Sequence, residues 1–411
     1  MRVALIALLA LAATPAAAGA VPWSAPRSVT VRGLAREPAV ALGGPDAAAV
    51  SYVRHFGGED RVELRQGTVA SLRSPILVDV DPRHGLDSPT LTYRGHDALL
   101  VWRRFRDANT RVLELASISH AGAASAPRAI TGPPNAYSPA FVNPELLTFW
   151  RRRAAYTVAI AGGSAAVKTR LPAGAAFESE VAALPDGTLV AVWPSGGAIF
   201  AATRAPGATS FGAAARLSAP GGFARSPHLA FTPDGHTVAV WTQADGTGRA
   251  LVSAARPPGG AFGARIEVLP SSAQVLTVRA LGSSAGDVLV TYISAQAPAP
   301  AGPLHALRLG PDGQRTAPVR TLTPPGERTR DASLAADNSA GYATWVTAGT
   351  GRHVARVVRI AGSIVGTVRT ISGSDGAVAA PPAFAMSPRG RALIAYATTS
   401  GRIRLVTRRA G

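Results

Sequence analysis

A polar turn followed by a short apolar run ending in an aromatic residue recurs along this chain. That recurrence limits the possible folds more than any other feature. Its clearest copy is Pro233-Asp234-Gly235-His236-Thr237-Val238-Ala239-Val240-Trp241. Tyr52, Trp102, Trp150, Trp193, Trp241, Tyr292, Trp345 and Tyr396 close successive runs, at gaps of 50, 48, 43, 48, 51, 53 and 51 residues. Spacing this regular marks a tandem repeat, in which each period is one supersecondary unit.

Each unit has the same internal grammar. A short apolar strand comes first, such as Leu229-Ala230-Phe231, often opened by Ser-Pro as at Ser88-Pro89, Ser138-Pro139 and Ser226-Pro227. A turn follows. Where it holds Asp-Gly, as at Asp186-Gly187 and Asp234-Gly235, the glycine supplies the positive φ that tight hairpins need. The aromatic-ending strand is next. An alternating third strand follows, as in Arg111-Val112-Leu113-Glu114-Leu115, and then a short edge-like fourth, as in Arg265-Ile266-Glu267-Val268-Leu269. Four short strands per repeat describe a propeller blade. Helical periodicity is missing beyond the N-terminus. The last repeat, from Pro381, supplies three strands. The segment Trp23 to Val31 matches the fourth strands at Ala126–Ile130 and Ala317–Leu322, so it is expected to complete that blade and remove an open sheet edge. The expected fold is all-β, an eight-bladed β-propeller of four-stranded antiparallel blades closed by the N-terminal strand. Seven blades is the alternative, because the third repeat, Tyr137 to Ala176, is short.

Met1-Arg2, the apolar run Val3 to Ala13, Pro15 and the small residues to Ala20 read as a secretory signal peptide. Residues 1–20 are therefore assigned to the leader and 21–411 to one propeller domain. The apolar run is short for a membrane anchor, and the C-terminus holds no second one. The mature protein is expected to be extracytoplasmic and monomeric, with no transmembrane segment after cleavage. The chain has no cysteine, so packing alone must stabilise it.

The formal net charge of +18 suits an anionic partner, such as an acidic glycan, a wall polymer or a protein. A second reading stays open. Lys168 is the only lysine, and Ala, Gly, Pro and Arg abound, as the codon bias of a GC-rich genome would produce.

Gly207-Ala208-Thr209-Ser210-Phe211-Gly212-Ala213, Gly259-Gly260-Ala261-Phe262-Gly263-Ala264 and Trp23-Ser24-Ala25-Pro26 resemble degenerate Asp-box turns of sialidase-like (BNR-repeat) propellers. The Ser and Asp of the box are absent, and a glycine and an aromatic remain. The resemblance covers at most three blades and implies the propeller fold. It carries over no activity, because the family's arginine triad, Tyr-Glu nucleophile pair and acid Asp find no match.

In a propeller the first strand of every blade lines the central channel. The residues expected at its mouth are Arg36, Glu37, Asp87, Tyr137, Glu178, Glu180, Arg225, His228, Arg279, Arg330 and Asp331. Arginines there can hold a carboxylate or sulfate in fork geometry, and Glu178 or Asp331 can serve as acid or base. The simpler alternative is a solvated rim of mutually paired charges. Arg103, Arg104 and Arg106, with Arg151, Arg152 and Arg153, form a candidate basic patch. Asp79, Asp81, His84 and Asp87 have oxygen-rich spacing that a calcium loop would use, but they also serve as ordinary turn formers. Cys/His metal sets, nucleotide loops and Gly-x-Ser-x-Gly elbows are absent, so no cofactor, metal site or catalytic residue is assigned. The function expected is a secreted, non-catalytic binding or scaffold module for extracellular or envelope polymers or proteins, with nucleic acid disfavoured. The alternative is a glycan-active hydrolase or lyase at the channel mouth.

Overall fold

A computed structural model describes residues 22–410, apart from 31–32, 83–84, 108, 131–135, 152–153, 162–163, 173, 175–177, 296–298, 300, 349–352 and 375; of residues 164–167 it describes only the backbone. The segment assigned as a signal peptide lies outside the described residues.

Eight antiparallel sheets follow one another in chain order. Blade 1 runs from Leu34 to Asp81, blade 2 from Leu86 to Ala129, blade 3 from Ala136 to Arg170 and blade 4 from Glu180 to Arg216. Blades 5, 6 and 7 span Phe223–Leu269, Val275–Thr321 and Arg328–Thr370. Blade 8 takes three strands from Ala383–Arg408 and its fourth from Arg27–Ser28. Each sheet has four strands, except that Arg369–Thr370 adds a second short outer strand to blade 7. Among the described residues the helical content is one turn, Ser271–Ala273. The chain is thus an eight-bladed propeller. The seven-blade alternative falls because the short third repeat still forms a complete blade, Ala136–Asn143, Leu146–Arg151, Ala154–Ala161 and Ser164–Arg170.

Closure is the expected one. Arg27 pairs with Leu405 and Ser28 with Arg404. Val29 N–H donates to the Ile403 carbonyl at 2.9 Å, and Ser24 N–H to that of Thr407 at 2.8 Å. Val29 is buried between blades 8 and 1.

The core is divided among the seams. Each of the apolar clusters bridges two neighbouring blades, and together they go once round the ring. The repeat aromatic lies inside the second strand, two or three residues before its end, and points into the seam with the preceding blade: Trp102, Trp193, Trp241 and Trp345 are fully buried there. Blade 3 departs from the pattern. Phe149 is buried at the seam with blade 2, while Trp150 is half-buried and packs toward blade 4. Successive strand residues face opposite sides, so the aromatic serving this blade's seam is one residue earlier than the repeat spacing suggests.

The Ser-Pro pairs correct a second expectation. They lie inside the first strands, not at their starts, because those strands begin earlier, at Leu86, Ala136 and Phe223. Each pair forms a β-bulge, at Ser88, Ser138 and Ser226, with φ of 49, 46 and 49°; Glu37, before Pro38, has φ 52°. The first strand is a channel-facing edge, so a residue without N–H costs no ladder bond there. Farther down the channel, the first strands of blades 5 and 6 approach backbone to backbone. A Cβ on Gly282 of blade 6 would lie 1.7 Å from the Phe231 carbonyl oxygen of blade 5.

Candidate functional site at the channel mouth

First strands enter, and second-to-third-strand hairpins turn, at the same end of the propeller. This end gathers most of the residues proposed for a site. Around blades 1 and 2 they are closed into ion pairs. Arg36 reaches the Asp60 carboxylate at 3.0 Å and the Leu86 carbonyl of the next blade at 3.1 Å. His55 Nδ1 is also 3.0 Å from Asp60, which accepts the Leu86 N–H as well. Burial would raise the Asp60 pKa. The hydrogen bonds from Arg36, His55 and Leu86 outweigh it and hold the pKa below the ordinary aspartate value. Glu37 accepts the Ser88 N–H at the bulge of blade 2, and burial pushes its carboxyl up despite that bond.

Asp87 binds Arg103 through both carboxylate oxygens. The Arg103 guanidinium lies over the rings of Phe105 and Tyr137, at 5.3 and 5.4 Å. Arg104 donates to Glu114 and Asp81, both at 2.9 Å, and to Asp79; Arg106 donates to Glu114 at 2.6 Å. The Trp102 indole N–H bonds the other Asp79 oxygen at 2.8 Å. Asp79 and Asp81 thus clamp the outer strand of blade 1 to blade 2. Among the described residues no group of carboxylates and imidazoles has metal-site geometry; His84 lies outside them. Arg103, Arg104 and Arg106 are paired inward. Arg151 also has a partner, and Arg152 and Arg153 lie outside the described residues.

Blades 4 to 7 are connected differently. Glu180 Oε2 is 2.8 Å from His228 Nδ1; His228 Nε2 is 2.8 Å from Arg279 Nη1; Arg279 Nη2 is 2.8 Å from Asp331 Oδ2. A guanidinium can only donate, so His228 Nε2 must accept. The other ring nitrogen, Nδ1, lies against the Glu180 carboxylate. One chain of polar contacts crosses four blades. Backbone bonds reinforce it: Leu229 N–H donates to Glu180 and Ser226 N–H to Glu178, both at 3.2 Å. Its links are a repeat apart, 51 residues from His228 to Arg279 and 52 from Arg279 to Asp331. Repeat spacing alone therefore points to these partners.

Sequence reasoning missed Asp60 and a set of exposed arginines at the same end: Arg249, Arg328 and Arg402. Their signal is position, since Arg249 and Arg328 open strands at the mouth side and Arg402 immediately precedes one. Arg225 and Arg330 are exposed too. Arg225 lies over Phe223 at 4.2 Å.

The turns that resemble degenerate Asp boxes at Gly207 and Gly259 lie between third and fourth strands. Phe262 packs on the core there, and Phe211 lies under Arg204. No family model matches the chain, and no curated protein matches it in sequence. Among solved structures, the chain is similar to the WD40 domain of SCAP from fission yeast, at 11% identity and TM-score 0.55, over 95% of this chain and 98% of that one. It is also similar to the Dos1 propeller, at 10% identity and TM-score 0.53, over 95% and 96%. A streptogramin B lyase structure matches at 9% identity and TM-score 0.45, over 75% and 90%. The likeness to the SCAP domain and the Dos1 propeller shows the propeller fold alone.

Proposed function

We propose that the chain is an exported, non-catalytic propeller that binds extracellular or envelope polymers or proteins across its channel mouth. One observation supports this most: the mouth carboxylates best placed for acid–base work are already occupied. Glu180 is held by His228 and Leu229 N–H, Asp331 by Arg279, and Glu178 and Glu37 by backbone N–H groups of the next blade. A glycosidase needs two carboxyl groups flanking one bond, and here each is committed to holding blades together. Export rests on the leader-like N-terminus. The sialidase-like resemblance contributes the scaffold to this reading and no activity.

The test is a binding screen of the mature protein against acidic and neutral glycans, wall polymers and protein fractions, with product analysis in parallel. Saturable binding without turnover is the expected result. Turnover abolished by Glu180→Gln would instead establish the hydrolase or lyase reading. Failure to retain any class would remove the binding reading.

A further inference from the structure

The mouth has a charge asymmetry that the fold does not require. Around blades 5, 7 and 8, Arg225, Arg249, Arg328, Arg330 and Arg402 are exposed, and among the described residues none has a carboxylate within ion-pair distance. The carboxylates nearby are already engaged. Asp331 holds Arg279, and Glu327 holds Arg356 and the Trp345 indole. Asp245 accepts from Thr247 and from Gly248 N–H inside its own turn. An arc of exposed cations is left; Arg225, Arg328 and Arg330 lie on first strands that the chain from Glu180 to Asp331 crosses.

We propose that this arc is the docking surface for an acidic polysaccharide carrying ring carboxylates, a reading that rests on the binding-module function above. The chemistry follows from three features. First, the chain already pairs arginine with carboxylate side-on at this end, as at Arg103 and Asp87, and a uronate presents the same planar acceptor. Second, the most exposed aromatic of the arc offers no open platform. Arg225 covers one side of Phe223, and Gly197 is close enough that a Cβ there would meet the ring at 3.1 Å. A nucleic acid would be left without base stacking. The Arg225 guanidinium is exposed and held against the ring. Third, the arc is a rim of strand ends. An acidic peptide would have to order both backbone and side chains for few apolar contacts, whereas ring-borne carboxylates on a stiff glycan lose less entropy on binding.

The experiment is titration of the mature protein with polygalacturonate, beside neutral galactan, dextran sulfate, oligothymidylate and polyglutamate. We expect polygalacturonate to bind, neutral galactan not to bind, and affinity to fall with salt. The triple variant R225A/R249A/R330A should bind about tenfold more weakly or worse. R225K/R249K/R330K, which keeps the charge but not the planar fork, should fall between wild type and the alanine triple, and Arg320→Ala, on an outer strand, should match the wild type. Equal binding by the alanine triple overturns the arc while leaving the binding module intact. Dextran sulfate, oligothymidylate or polyglutamate binding as tightly as polygalacturonate overturns the carboxylated glycan. No binding to these probes, with another polymer retained in the broader screen, overturns this inference alone. Nothing retained in either experiment overturns both.

Discussion

Blades 1 and 2 and blades 5 to 8 place the same residue type at the same end of the same fold, with opposite results. In the first region arginines face carboxylates across a seam. Arg104 is 15% exposed at its side chain, and its partners Asp79, Asp81 and Glu114 are 5–8% exposed. In the second region the carboxylates are engaged elsewhere, Asp331 by Arg279, Glu327 by Arg356 and Asp245 within its own turn, and the outer arginines face solvent. Charge count alone does not separate a structural rim from a binding rim. What separates them is whether each guanidinium already has an acceptor.

The contrast fails most visibly at Arg104. Arg104→Ala strands buried carboxylates and should cost about 3–5 kcal/mol; urea unfolding would measure it, and a loss below about 1 kcal/mol would place blades 1 and 2 in the same class as the exposed arc. A smaller effect is expected at Asp60, whose pKa is lowered in the folded protein. Its stabilisation is present above the unfolded-state value and is lost as pH falls through the folded one. Asp60→Asn should therefore cost about 1–2 kcal/mol at neutral pH. The gap from wild type should narrow as pH falls below the ordinary aspartate range, as paired unfolding curves would show. Arg279→Ala cuts the chain across blades 4 to 7. Both Arg279 and Asp331 are about one-third exposed, so the cost should be only about 1 kcal/mol. Its clearer signature is a change in the His228 ring-nitrogen resonances, because Nε2 loses its donor. Smallest of all, Arg249→Ala should leave the melting temperature within the shift expected for about 0.5 kcal/mol. A larger loss would mean that Arg249 supports the fold after all.

The repeat, the strand order and the closing strand were legible because all three are written in local periodicity and spacing. Trp150 misled because Phe149 precedes it: two adjacent aromatics fit the same spacing, and only the direction of the strand face tells them apart. The Ser-Pro pairs looked like strand starts because proline ends ladders in a central strand, whereas on a channel-facing edge it only makes a bulge. The candidate mouth residues could be named, but most of their partners could not. Asp79 meets Arg104 25 residues on, a separation set by the stagger between an outer strand of one blade and a second strand of the next. The chain from Glu180 to Asp331 is the exception, since its links follow the repeat itself.

The clasp at Arg27 and Leu405 has a consequence for how this ring can change. Both halves of the fastening belong to one blade, and the other seven are strung between them like beads on a closed bracelet. Duplication or loss of a whole unit between Asp81 and Ala383 would leave the fastening untouched and alter only the bore. Descendants of this chain can thus widen or narrow the aperture without reinventing how it shuts.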